Sequence, residues 1–144
     1  MKKLLLAAAL FISASAFAHT PAVDEAVEKL FRESFPTASK VQWYDRQNGY
    51  EVLFIHNQVQ CRIQYDLEGN MQHMRRDYNE DGLPLFIIGN VKKQYPSKKI
   101  YGVTEITTPE GLNYHIILED QKHWTFIESS SGGYLSHVKR LRKA

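Results

Sequence analysis

The chain has 144 residues, 43% hydrophobic, 24% charged and 12% aromatic, with a formal net charge of +2. This suffices for one domain with a real core, falls short of two conventional domains, and is too apolar for a disordered chain. Its single cysteine excludes an intrachain disulfide framework and a cysteine-rich zinc site, and no apolar run reaches the about 20 residues of a membrane-spanning helix.

Residues 1–18 read as a secretory signal peptide. Lys2 and Lys3 supply the positive start, Leu4 to Ile12 is an unbroken apolar run, and Ala16-Phe17-Ala18 is an A-x-A cleavage pattern. The expected mature domain is 19–144, beginning at His19. Without Lys2 and Lys3 the 18 basic side chains fall level with the 16 acidic ones. No net field then favours nucleic acid or anionic lipid, and neither nucleic acid nor a transmembrane anchor is expected. The expected destination is outside the cytoplasm, periplasmic or secreted.

The mature chain opens with a helix over Pro21 to Ser34. Thr20-Pro21 suits a helix start, Asp24 and Glu25 suit its positive end, and Val23, Val27, Leu30 and Phe31 recur at helical spacing up to Pro36. Strand signals follow at Val41–Trp43, then an Asn48-Gly49 turn and alternation through Tyr50, Val52 and Phe54. After a turn at His56-Asn57-Gln58, strict alternation runs from Val59 to Tyr65, with Cys61 on its apolar face. That face predicts a buried, inert thiol rather than a nucleophile. A turn at Asp66–Gly69 leads to a weaker strand over Met71 to Tyr78.

Pro84 begins a second helix carrying Ile87, Ile88, Val91 and Tyr95, and Pro96 ends it. Strands return over Ile100–Thr107, Tyr114–Leu118, Trp124–Phe126 and Tyr134–Leu141, with turns at Pro109–Gly111 and Ser129–Gly133. Punctuation recurs along the chain. Phe35-Pro36 matches Tyr95-Pro96 sixty positions on, and Tyr50, Val52 and Phe54 match Tyr114, Ile116 and Leu118 sixty-four on. The expected fold class is therefore α+β: a tandem repeat of helix plus antiparallel β-meander, about 20–78 and about 83–142. The two meanders share one sheet with the helices on one face.

The opening helix into Phe35-Pro36, Val41-Gln42-Trp43, Tyr50-Val52-Phe54, Tyr65-Asp66 with Gly69, and Leu83-Pro84 leading to Tyr95-Pro96 carry a resemblance. In these the chain resembles the PepSY-like, or β-lactamase-inhibitor-like, family of small exported bacterial proteins. The resemblance implies tandem helix-plus-sheet units, residence in the cell envelope, and a binding or inhibitory role. It implies no catalytic set, and inhibition of a β-lactamase does not follow from a family label.

No constellation of side chains specifies a reaction. The histidines at 19, 56, 73, 115, 123 and 137 form neither H-x-H nor H-E-x-x-H. His19, as a mature N-terminus, pairs an amine with an imidazole and suits weak copper or nickel capture. Asp77-Tyr78-Asn79-Glu80-Asp81-Gly82 opens like a calcium loop, but its twelfth position is Ile88 where a bidentate glutamate belongs. The plain alternative is a polar turn. Ser129, Ser130 and Ser131 lack a nucleophile elbow. Lys139-Arg140-Leu141-Arg142-Lys143 reads as a solvated strand end or a contact for an acidic partner.

The expected protein is thus not an enzyme and has no cofactor. It reads as a binding module, with a small-ligand or calcium-binding protein as the alternative. Its partner is an envelope or extracellular protein, or a second copy of itself. Period-two parity locates the surface. If Trp43, Val52, Phe54, Cys61, Ile63, Ile116, Leu118 and Phe126 face the helices, then Tyr44, Leu53, Ile55, Arg62, His115, Ile117 and Ile127 face away. Both faces of Tyr50–Ile55 and Tyr114–Leu118 carry apolar groups, unlike a strand with one side in water. The candidate partner-binding residues are Tyr44, Leu53, Ile55, Arg62, His115 and Ile117.

Overall fold

The structure, a computed structural model, describes residues 22–144. The expected signal peptide over 1–18 and the expected roles of His19, Thr20 and Pro21 lie outside the described residues. Helix α1 spans Glu25–Ser34 and is followed by strands β1 (Ser39–Arg46), β2 (Gly49–His56), β3 (Val59–Tyr65) and β4 (Met71–Tyr78). A single 3-10 turn at Glu80–Gly82 precedes α2 (Leu85–Gln94), and then come β5 (Lys99–Thr108), β6 (Gly111–Glu119), β7 (His123–Ser130) and β8 (Leu135–Arg142).

Local chemistry accounts for most boundaries. Asp24, expected inside the first turn of α1, is instead its N-cap: its carboxylate accepts from the Ala26 N–H at 2.8 Å. Val27 and Phe31, four residues apart, are the buried stripe of α1, as Ile87 and Val91 are of α2. The β2–β3 hairpin turns on Asn57 and Gln58, both left-handed at φ 50° and 66°, which matches the strand twist. Gln47 and Asn48 form the β1–β2 turn, and Gly49 opens β2. A Cβ on Gly49 would lie 1.9 Å from the Tyr65 carbonyl oxygen, so only glycine fits there.

The eight strands form one sheet in sequence order, every neighbour antiparallel. This corrects the expected fold class. It is not an α+β tandem repeat of helix-plus-meander units but a single eight-stranded sheet, with 54% of the described residues in strands and 19% in helices. The physical reason is proportion: eight strands outweigh two short helices, and the one sheet that was expected to be shared runs unbroken through the β4–β5 junction. Met74 to Tyr78 pair with Thr107 to Val103 in continuous register, so no break divides the sheet. Each helix is only ten residues long, enough to cover one apolar patch.

Those patches are the core. Under α1 gather Val27, Phe31, Val52, Phe54, Cys61 and Ile63. Under α2 gather Ile87, Val91, Val103, Ile116, Leu118 and Ile127. Directly opposed residues in a ladder share a face, and the Val52–Ile63–Met74 and Tyr78–Val103–Ile116 rows lie on the same one. Both helices therefore cover a single face, and no other described element packs on the opposite one.

A candidate interaction surface on the uncovered sheet face

Cross-strand register decides what the uncovered face carries. One row runs Gln42–Leu53–Arg62–Arg75 and another Ile55–Gln60–Asp77–Thr104–His115–Glu128. A third runs Gly102–Ile117–Phe126–Lys139. All six expected residues, Tyr44, Leu53, Ile55, Arg62, His115 and Ile117, stand on this face. They do not form one patch. Leu53, Ile55 and Arg62 line a cavity of about 360 Å³ over β1–β4. His115 and Ile117 line a smaller one of about 200 Å³ over β6–β8. Tyr44 lines neither; its hydroxyl donates to Gln42 Oε1 at 3.1 Å and Arg46 lies 5.5 Å from its ring centre.

Strand β7 corrects the expected parity. Ile127 pairs with Ile116 and is 1% exposed in the core, whereas Phe126 pairs with Ile117 on the uncovered face. The three-residue link Asp120–Lys122 sets that register, and register outranks the size of the apolar group. Phe126 and Trp124 are sheltered instead by the tail. Lys139 Nζ sits 4.7 Å from the Phe126 ring centre and Lys143 Nζ 4.2 Å from that of Trp124. Lys143 also pairs with Glu119 at 2.9 Å, so part of the basic run is spent on the sheet itself.

Sequence reasoning missed Lys40, Arg75 and Asp77 around the larger cavity, and Phe126 and Lys139 around the smaller. Alternation in β4 held the signal for Arg75 and Asp77, had Arg76 been assigned to the helix face. Leu85, Phe86 and Tyr134, exposed on the helix side, were also missed.

The carboxylates around the larger cavity are already engaged. Arg75 donates Nε to Asp77 Oδ2 at 2.8 Å and Nη2 to Oδ1 at 2.9 Å, and Thr104 Oγ1 donates at 2.7 Å. Burial pushes the Asp77 carboxyl up, but these bonds and the Arg75 charge outweigh it and hold it below the usual carboxylate range. Glu51 is buried beneath Arg46, whose Nη2 donates at 2.6 Å, and Gln64, which donates at 3.2 Å. Burial again opposes ionisation there, and the hydrogen bonds with the Arg46 charge win.

The same contacts reach the first position of the calcium-like turn. Asp77 is bound to Arg75 and Thr104, while Glu80, across the turn, pairs with Lys92. Among the described residues no group of three His, Cys, Asp or Glu gathers as a metal site. Cys61 lies in the core, where burial pushes its thiol up despite the nearby Arg76 charge.

Two features of the larger cavity are locally unfavourable. Arg62 stands directly opposite Arg75, like charge against like. A bulge between Ser39 and Gln42 places Lys40, at a left-handed φ of 52°, on the cavity wall. A non-glycine residue in that region costs on the order of 1 kcal/mol.

No family model matches this chain, and no curated protein matches it. Solved structures do. A BLIP-like protein from Bacteroides fragilis NCTC 9343 superimposes with a TM-score of 0.67 at 17% identity, covering 85% of this chain and 89% of that one. The fold is BLIP-like. A DUF2874 family protein from Bacteroides ovatus ATCC 8483 gives a TM-score of 0.64 at 16% identity, over 85% of this chain and 89% of that one. A protein considered periplasmic from Bacteroides eggerthii DSM 20697 gives 0.63 at 15% identity, over 85% and 90%. At these identities the likeness is one of fold, and it is BLIP-like rather than specifically PepSY-like.

On this BLIP-like sheet the uncovered face offers half-buried aliphatic side chains flanked by charges. Such a surface suits recognition by shape and charge.

Proposed function

We propose that this chain is an exported, non-enzymatic binding module whose uncovered sheet face docks an envelope protein. The observation that carries the reading is the asymmetry of the sheet. Two helices bury one face, while the other keeps Leu53, Ile55 and Ile117 half-buried in two concavities with no helix packed over them. A face meant only for water would alternate to polar residues at these positions. The BLIP-like fold and the periplasmic character ascribed to one fold neighbour support an envelope setting.

The test is the double variant Leu53→Asp with Ile117→Asp. The parent, used as bait on an envelope fraction, retains a defined partner that the variant loses, while the variant's melting temperature stays close to the parent's. Sedimentation of both proteins separates a foreign partner from a second copy. An unchanged set of captured proteins, or an unfolded variant, overturns the reading.

A further inference from the structure

We infer that the cavity over β1–β4 receives an extended acidic segment of the partner protein, in which an Asp or Glu side chain lies beside an aliphatic one. This rests on the reading of the uncovered face as a docking surface and adds the partner's chemistry to it.

Three observations converge on that occupant. The first is charge. Lys40, Arg62 and Arg75 line the cavity against one carboxylate, Asp77, and that carboxylate is held by Arg75 and Thr104. The nearby Glu51 is held by Arg46 and Gln64. Arg62 and Lys40 make no hydrogen bond or ion pair among the described residues. The cavity lining therefore carries an excess of positive charge, three cations against one carboxylate, and guanidinium forks match carboxylates in geometry as well as sign.

The second is placement. Arg75 is paired with Asp77, whereas Arg62 directly opposite it has no hydrogen-bonded acid, so an incoming carboxylate meets the Arg62 guanidinium beside that pair. The β1 bulge adds a third cation to the same wall, and bulges re-aim side chains in this way next to sites. The third is the floor. Leu53 and Ile55 are aliphatic and half-buried. A bare phosphate or an acidic polysaccharide would satisfy the cations and leave that floor wet. A peptide carrying an acidic and an aliphatic side chain in succession satisfies both. A cavity of about 360 Å³ is at the small end for ligand sites and suits a few side chains.

The experiment is selection from a displayed library of random peptides on the purified protein and on its variants. The parent is expected to enrich sequences with Asp or Glu next to Leu, Ile or Val. A synthetic winner should lose about tenfold in affinity when its acids become Asn or Gln, and should weaken with added salt. Arg62→Glu should abolish enrichment of these sequences and Arg62→Lys should retain it in part. Lys40→Glu, on a different element, should act in the same direction as Arg62→Glu, so the outcome does not hang on one variant's folding. Enrichment of nothing, or of peptides without acids, overturns the acidic-segment assignment, as does indifference to both charge reversals. If acid-free peptides are enriched and Leu53→Asp removes them, the docking face stands and only its acidic specificity falls. If the selected peptides ignore Leu53→Asp and Ile117→Asp alike, both fall. Displacement of a selected peptide by millimolar inorganic phosphate to the same extent as by excess unlabelled peptide would make the cavity a simple anion site and overturn the peptide assignment.

Discussion

Arg76 on β4 and Glu105 on β5 stand directly opposite one another, with Nη1 donating to Oε1 at 3.1 Å. The Tyr78 hydroxyl donates to the other oxygen of the same carboxylate at 2.6 Å. This cluster lies on the helix-bearing face, between the core under α1 and the core under α2. The junction that joins the first four strands to the last four is therefore polar where its flanks are apolar. Burial pulls the Arg76 guanidinium down, and Glu105 more than restores it. Burial and the bond to Glu105 push the Tyr78 phenol far above its ordinary range.

Removing the acceptor should cost stability. Glu105→Ala leaves Arg76 and the Tyr78 hydroxyl unpaired in a largely buried setting. A loss of about 2–3 kcal/mol in urea unfolding is expected, discounted because Arg76 is partly exposed. Glu105→Gln keeps an acceptor for Tyr78 and should cost less. A loss within about 0.5 kcal/mol for Glu105→Ala would mean that backbone pairing alone holds the junction.

Neighbouring residues of β7 should behave in opposite ways. Ile127 is 1% exposed among Ile116, Leu118 and the α2 residues, so Ile127→Asp places a charge in the core. It should cost several kcal/mol and leave little folded protein, on the order of 4 kcal/mol or more. Phe126→Asp, on the uncovered face, should leave a folded protein with a modestly lower melting temperature. Circular dichroism melts of the two variants decide it, and the reverse order of damage would refute the pairing of Phe126 with Ile117.

Alkaline pH should weaken the α1 half through Tyr65. Burial pushes this phenol from its ordinary value of 10.0 up to about 12. The folded state thus holds the proton more tightly than the unfolded chain. The resulting stability is fully present below pH 10 and is lost as pH rises toward 12, on the order of 2 kcal/mol across the window. Tyr65→Phe has no proton to lose and should show a flatter decline over the same range. Equal slopes for the two proteins would contradict the assignment.

Calcium should bind weakly or not at all. Asp77, which would be the first ligand, is held by Arg75 and Thr104, and Ile88 occupies the position of the bidentate glutamate. Calorimetry should detect nothing tighter than roughly millimolar. Micromolar binding lost in Asp77→Ala would show that the turn rearranges around the ion.

The positions of helices and strands were legible in the chain because each depends on neighbours in sequence. Pro36 and Pro96 close off the helices, Asn57-Gln58 turns a hairpin, and alternation in β2, β3 and β6 marks which residues meet the helices. Placement of Tyr44, Leu53, Ile55, Arg62, His115 and Ile117 on the other face followed from that alternation, a property of one strand at a time. Only the tertiary structure decided the rest. The shared sheet was expected, but the β4–β5 register that joins its halves was not legible, because that contact depends on hydrogen bonds between segments separated by α2. The face of Phe126 was set by its register against Ile117, and the Arg62–Arg75 opposition by the β3–β4 register. The capture of Asp77 by Arg75 and Thr104 likewise needs two strands in place. A strand's own residues specify that it has two faces. Which face meets the core, and which charges meet across it, is specified by the hydrogen-bonding partner, and that partner is fixed only when the chain has folded.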